Sequence, residues 1–213
     1  LINSGNSYWI AFFVALLSGA ALGAILDICI MRPLSNKKKS ELLSSESMRA
    51  AVPVIASLGI LGALQAMAGI LWAAEERGFP APAKQEGFNF AGTILPFTSF
   101  DVFVVSVVTV TLVMTTLFFT KTGIGLAMRA TALNQEVAKL SGIRTNRTRT
   151  ISWAISGAAS SLAGLLITPT SNLSPNTLDL VLIVGFTAAV VGGLDSPAGA
   201  VLGGFILGMV ISF

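Results

Sequence analysis

Long apolar runs separated by short polar interruptions set the pattern of this chain. The runs span about Tyr8–Ile30, Ala50–Ala74, Thr98–Thr120, Thr150–Ile167 and Asp179–Leu194, and a sixth begins near Ala198. As helices, the first four suit a hydrocarbon core of roughly 30 Å. Asp179–Leu194 is short for a full crossing, which predicts a tilted, broken or re-entrant segment. The expected fold is therefore all-α: a polytopic membrane helix bundle of about six membrane segments in a single domain, 1–213. Leu1 stands where Met would start a gene product, and Phe213 falls inside an apolar run. The chain thus reads as truncated at both ends.

Polar and small residues inside the runs refine this picture. Tyr8 and Trp9 open the first run, as interfacial anchors do. Gly19 and Gly23 offer a small surface for close helix packing. Asp27 lies near the other end of that run, close to Arg32, and is expected at headgroup level. Gln65 is a lone mid-span amide that either faces a pathway or ties two helices together. Thr109, Thr111, Thr115 and Thr116 can bond to the backbone carbonyl four residues earlier. The fourth run is dense in Gly, Ala and Ser, so it must pack tightly or line a passage.

The stretch Lys121–Arg149 differs from everything around it. It holds six of the thirteen basic residues: Lys121, Arg129, Lys139, Arg144, Arg147 and Arg149. Leu126, Ala130, Leu133, Val137 and Leu140 recur at spacings of four, three, four and three, which places them on one face of a helix. Arg129, Glu136 and Lys139 fall on or near another face. Gly142 follows where a C-terminal glycine would end the helix. This predicts one amphipathic helix over Gly125–Ser141, kept outside the bilayer by its charges. Such a helix either lies on lipid headgroups or docks into a groove on a partner protein.

Charge fixes the expected topology. Met31–Arg49 carries five basic residues, including the run Lys37–Lys39, which sets orientation or meets anionic lipid. Glu75–Pro96, a long irregular connection, has only Arg77 and Lys84. The two basic stretches are thus cytoplasmic, and the acidic and Pro-rich connections lie outside.

Composition excludes several functions. Hydrophobic residues make up 54% and charged residues 11%, where soluble domains carry about 25% charged. The basic residues sit at the ends of apolar runs rather than among aromatics, which argues against nucleic-acid binding. With no histidine and one cysteine, Cys29, neither a metal site nor acid–base catalysis is expected. No P-loop string occurs, so any ATP hydrolysis belongs to a separate chain.

Two motifs carry a family resemblance. GLAMRATALNQEVAKLSGI at Gly125–Ile143 resembles the cytoplasmic loop of ABC-importer permeases of the branched-chain amino acid family, which also includes urea and amide permeases. FTAAVVGGLDSPAGAVLGGFILG at Phe186–Gly208 is similar to that family's glycine-rich region, with Asp195 where Gly is usual. The two motifs and the span between them cover about the second half of the chain. The resemblance implies a permease subunit in the bacterial inner membrane with no cofactor of its own. It implies four kinds of partner: ABC ATPase subunits, a second permease, an extracytoplasmic substrate-binding protein and a small-molecule substrate. On that side Glu75, Glu76 and Glu86 are available to the binding protein. The expected ATPase-coupling residues are Gly125, Leu126, Arg129, Ala130, Leu133, Glu136, Val137, Leu140 and Gly142. Substrate-pathway candidates are Ser152, Ser156, Ser160 and Thr187. Branched-chain amino acids are the expected substrate. Urea or a short amide fits the same residues, and a passive small-solute channel is the alternative that needs no ATPase.

Overall fold

A computed structural model describes residues 8–37, 46–72, 78, 87–90, 93–171, 174, 176–193 and 196–212. The Lys38–Lys39 pair, Arg77, Lys84, Glu75, Glu76, Glu86 and Asp195 lie outside the described residues. The predicted all-α membrane architecture is found. Helix α1 (Tyr8–Leu26) runs through a π-helical turn (Asp27–Met31) into α2 (Arg32–Lys37). Then come α3 (Glu46–Trp72), α4 (Ser99–Lys121), α5 (Gly123–Leu133), α6 (Gln135–Leu140), α7 (Thr145–Ile167), α8 (Asp179–Gly192) and α9 (Pro197–Ser212). Among the described residues, four helical stretches are long and apolar enough to cross a membrane: Tyr8–Leu34, Val54–Leu71, Ser99–Lys121 and Thr145–Ile167.

One departure falls in the connection expected to be irregular. Strands β1 (Gly87–Phe90) and β2 (Thr93–Thr98) pair antiparallel there, with Asn89 opposite Ile94 and Phe90 opposite Thr93. β-Branched and aromatic residues in Phe-Asn-Phe and Thr-Ile-Leu-Pro-Phe-Thr favour extended backbone, which the turn-forming composition of the whole connection obscured. Thr98 then starts α4 with a capping box: its hydroxyl accepts from Asp101 N, and the Asp101 carboxylate accepts from Thr98 N.

The chain divides into two units, one of residues 1–58 and 80–169, the other of 59–79 and 170–213. In the first, α1 and α7 pack antiparallel in a fixed register. Ser161 Oγ donates to Ala15 O at 2.7 Å. One turn on, a Cβ at Gly19 would fall 2.6 Å from Gly157 O; further along, one at Gly23 would strike Trp153 O. Asp27 then meets Arg149. Every fourth residue of one helix thus faces every fourth of the other. The small residues of the fourth run serve this contact, which is the close packing their size allows. At the other end of α1, Trp9 meets Phe103 of α4 edge to face.

In the second unit, α8 and α9 form a close pair. A Cβ at Gly192 would strike Gly199 O, and the reverse also holds. Gly193 turns the chain with φ of 95°, and Ser196 Oγ accepts from Gly199 N at the start of α9. By helical rise α8 is about 21 Å long and α9 about 24 Å, each short of a roughly 30 Å core. Gln65 of α3 donates to Asp179 Oδ1 at 2.5 Å, so the mid-span amide ties two helices together.

Candidate functional site

The predicted single amphipathic helix is two helices. Thr122 ends α4 and begins α5: its hydroxyl donates to Phe118 O at 2.6 Å and accepts from Gly125 N at 3.0 Å. Gly125 lies so close to the Phe118–Phe119 backbone that a Cβ would collide with Phe118 O. That closeness folds α5 back from the end of α4.

Asn134 then interrupts the helix with extended backbone, φ −154° and ψ 109°. Its side-chain oxygen accepts from Glu136 N at 2.9 Å and Val137 N at 3.1 Å, capping α6. The four-three spacing had hidden this break, because Leu133 and Val137 keep helical separation across it. The expected stripe is therefore split: Leu126, Ala130 and Leu133 belong to α5, Val137 and Leu140 to α6.

Gly142 ends α6 with φ of 81°. Ile143 N donates to Ala138 O, and Gly142 N to Lys139 O, both at 3.0 Å. This is a Schellman motif, with glycine at the left-handed position. The next helix starts at Thr145 rather than near Thr150, so Arg147 and Arg149 stand on α7.

Burial separates two faces of α5–α6. Gly125, Met128 and Ala138 are buried. Leu126, Leu133, Val137 and Leu140 are 61, 89, 56 and 89% exposed, an apolar surface that no described residue covers. Arg129 and Glu136 are exposed and Ala130 is half-buried.

Sequence reasoning missed what lies beneath these helices. Asp27 is fully buried between α1 and α7. Arg149 Nε donates to its Oδ1 at 2.8 Å, and Thr150 Oγ1 donates to its Oδ2 at 2.6 Å. Arg32 Nε lies 3.4 Å from Oδ2, and an Arg32 Nη reaches Thr150 Oγ1. Arg32, the neighbour expected from sequence, is thus only part of the arrangement. The π-helical turn at Asp27–Met31 adds a residue to the helix at this point, as such turns do at functional positions. Asp27 and Arg149 are the sequence signal for this site, but their separation gave nothing local to pair them by.

The pathway candidates divide. Ser152, Ser156 and Ser160 follow one another at four-residue spacing on α7; Ser152 is half-buried and the other two are exposed. Thr187 stands on α8 in the second unit, exposed, with its hydroxyl donated to Ile183 O. Ser152 also lines a cavity of about 390 Å³ shared by α2, α5, α6, α7 and the π-helical turn. Among the described residues, no group of His, Cys, Asp or Glu could hold a metal ion.

Four apolar spans, a pair of short exposed helices between two of them and a glycine-packed pair of short helices describe a polytopic membrane protein. The chain belongs to the family of permease components of branched-chain amino acid transport systems, which matches residues 1–213. It is 31% identical over 192 residues to the probable branched-chain amino acid transport permease protein LivH of Methanocaldococcus jannaschii, covering 90% of this chain and 58% of that relative. It is 28% identical over 211 residues to the high-affinity branched-chain amino acid transport system permease protein BraD of Pseudomonas aeruginosa, covering 95 and 64%. The fructose import permease protein FruF of Bifidobacterium longum is 27% identical over 221 residues, covering 98 and 56%. The chain spans less than two thirds of the length of these relatives. No solved structure matches it.

Proposed function

We propose that this chain is the greater part of the membrane subunit of an ATP-driven importer, acting in the cytoplasmic membrane on branched-chain amino acids. The observation that carries the reading is the exposed apolar surface of Leu126, Leu133, Val137 and Leu140 on two short helices held between spans. An ATPase subunit covers it, with Arg129 and Glu136 at its rim, and Gly125 and Gly142 set the two ends. Movement of α5–α6 then tilts α4 and α7 and opens the pathway to alternate sides. A second permease and an extracytoplasmic binding protein complete the assembly. ATP hydrolysis resides on the partner chain.

Ion coupling is disfavoured by the acidic groups near the spans. Asp27 is paired with two arginines, Asp101 caps α4, and Asp179 accepts from Gln65. Each carboxylate already has a structural partner, whereas a coupling group needs one free to exchange its ion. For the substrate, the relatives named for branched-chain amino acids favour an aliphatic zwitterion over a sugar. Within the first unit, Ser152, Ser156 and Ser160 of α7 are the polar groups offered to it.

The test substitutes Leu133→Asp and Val137→Asp in the full permease. Loss of ATPase co-purification and of leucine-stimulated hydrolysis is expected. Retention of both sinks the coupling assignment, and uptake of fructose in preference to leucine sinks the substrate.

A further inference from the structure

We propose that the hollow between the start of α5 and the start of α7 binds the headgroup of an anionic phospholipid. It holds about 310 Å³, at the lower end of the roughly 300–1,000 Å³ range of small-molecule sites. The first turns of α5 form one wall. Arg144, Arg147, Thr148 and Ile151 form the other, and their spacing of three, one and three sets them on one face at the start of α7.

Charge sets the sign of the ligand. Arg144 and Arg147 are exposed, and neither guanidinium meets a carboxylate among the described residues. Arg149, two positions on, is turned to Asp27 instead. The described lining carries no acid and no amide. Its one other polar side chain is Thr148, whose hydroxyl donates to Arg144 O at 3.3 Å. An ammonium group would thus meet two cations and no counter-charge. Phosphate oxygens answer both guanidinium groups, in the paired geometry that arginine favours. A phosphodiester of an uncharged alcohol fits best, because a zwitterionic headgroup brings a cation of its own.

Placement sets the rest of the ligand. Helix α4 ends at Lys121, and α7 carries no charge from Thr150 to Ile167. The hollow therefore lies where two spans meet the headgroups on the basic, cytoplasmic side. Ile151 stands two turns beyond Arg144, about 10 Å by helical rise and toward the hydrocarbon. Ile124, Ala127 and Ile143 add to the apolar lining. A molecule with phosphate at one end and hydrocarbon at the other uses both halves, whereas a free phosphate leaves the isoleucines idle. Basic pockets between membrane helices on the cytoplasmic side hold acidic headgroups in this way. The proposal needs only that the chain spans a membrane, so it stands or falls apart from the importer reading.

The experiment is native mass spectrometry of the full permease in a neutral detergent. The probes are dioctanoyl phosphatidylglycerol, dioctanoyl phosphatidylcholine and glycerophosphoglycerol, which is the first headgroup without its chains. One phosphatidylglycerol per chain is expected to saturate first, with the other two probes about tenfold weaker or more. Arg144→Gln combined with Arg147→Gln weakens phosphatidylglycerol by a similar factor. Lys139→Gln, a charge removed from α6 outside the lining, leaves it unchanged. The proposal is overturned by phosphatidylcholine binding as tightly as phosphatidylglycerol, or by lipid binding undiminished in the double variant. Equal weakening by Lys139→Gln also overturns it, since the attraction then belongs to the whole basic surface. If glycerophosphoglycerol binds as tightly as the lipid, or inorganic phosphate displaces the lipid, the site takes a soluble phosphate and the lipid assignment fails. If the double variant keeps the lipid but loses the ATPase, the two arginines face a protein and the assignment fails again. The lipid series needs no variant, so a variant that does not fold does not shield the proposal.

Discussion

The guanidinium of Arg149 donates to the carboxylate of Asp27 at 2.8 Å, joining α7 to the π-helical turn that extends α1. Breaking a buried ion pair on one side costs about 3–5 kcal/mol, because it strands the other charge. Both arginines are partly exposed here, at 33% for Arg32 and 24% for Arg149, so the low end applies. Asp27→Asn removes the counter-charge of two arginines and is expected to destabilise more than Arg149→Gln, which leaves Arg32 and Thr150 in place. The double substitution costs less than the sum of the two. Thermal unfolding of the purified permease in one detergent checks the order, and equal single losses that simply add count against it.

Gly23→Ala adds a Cβ that would collide with Trp153 O, whereas a Cβ at Gly62 meets nothing within 4 Å. Overpacking of a close contact costs about 1–3 kcal/mol. The yield of monodisperse permease on size exclusion should fall for Gly23→Ala and hold for Gly62→Ala.

Gly142 ends α6 in left-handed backbone with open space around it. A side chain there is resisted by conformation rather than by crowding. Gly142→Val therefore costs about 1–2 kcal/mol and Gly142→Asn much less. Hydrogen exchange at Gly142 and Ile143, whose amides close the motif, should quicken in the valine variant and stay near the original in the asparagine variant.

Gln65→Leu removes the donor to Asp179 Oδ1. Polar ties between membrane helices average about 0.6 kcal/mol and reach roughly 1.7. A small drop in melting temperature is expected, with Gln65→Asn, one methylene too short for the same reach, no better than leucine.

The sequence carried the helices well, because apolar run length and the change to charged residues are both local signals. Gly142 and Gln65 were readable for a similar reason: a glycine after a periodic segment, and an amide in hydrocarbon, each imply a specific requirement. Asn134 was not read as a break, since helical spacing continues through it and only its own capping geometry betrays the interruption. The strands at 87–98 were hidden among turn-forming residues. Arg32 was legible beside Asp27, but the pairing of Asp27 with Arg149 was not, because nothing local links α1 to α7. The exposed stripe was legible as residues, but its division between two helices was not.

The four-residue register between α1 and α7 bears on how the protein assembles. Helices so far apart in sequence enter the bilayer one at a time and associate afterwards. Gly19, Gly157 and their small neighbours differ too little in size to reject a slip of one turn. Asp27 does reject it: slipped, the acid would stand against Trp153 while Arg149 lost its counterion. The pair therefore fixes the register of the two helices, because misalignment would strand a buried carboxylate away from its counterions.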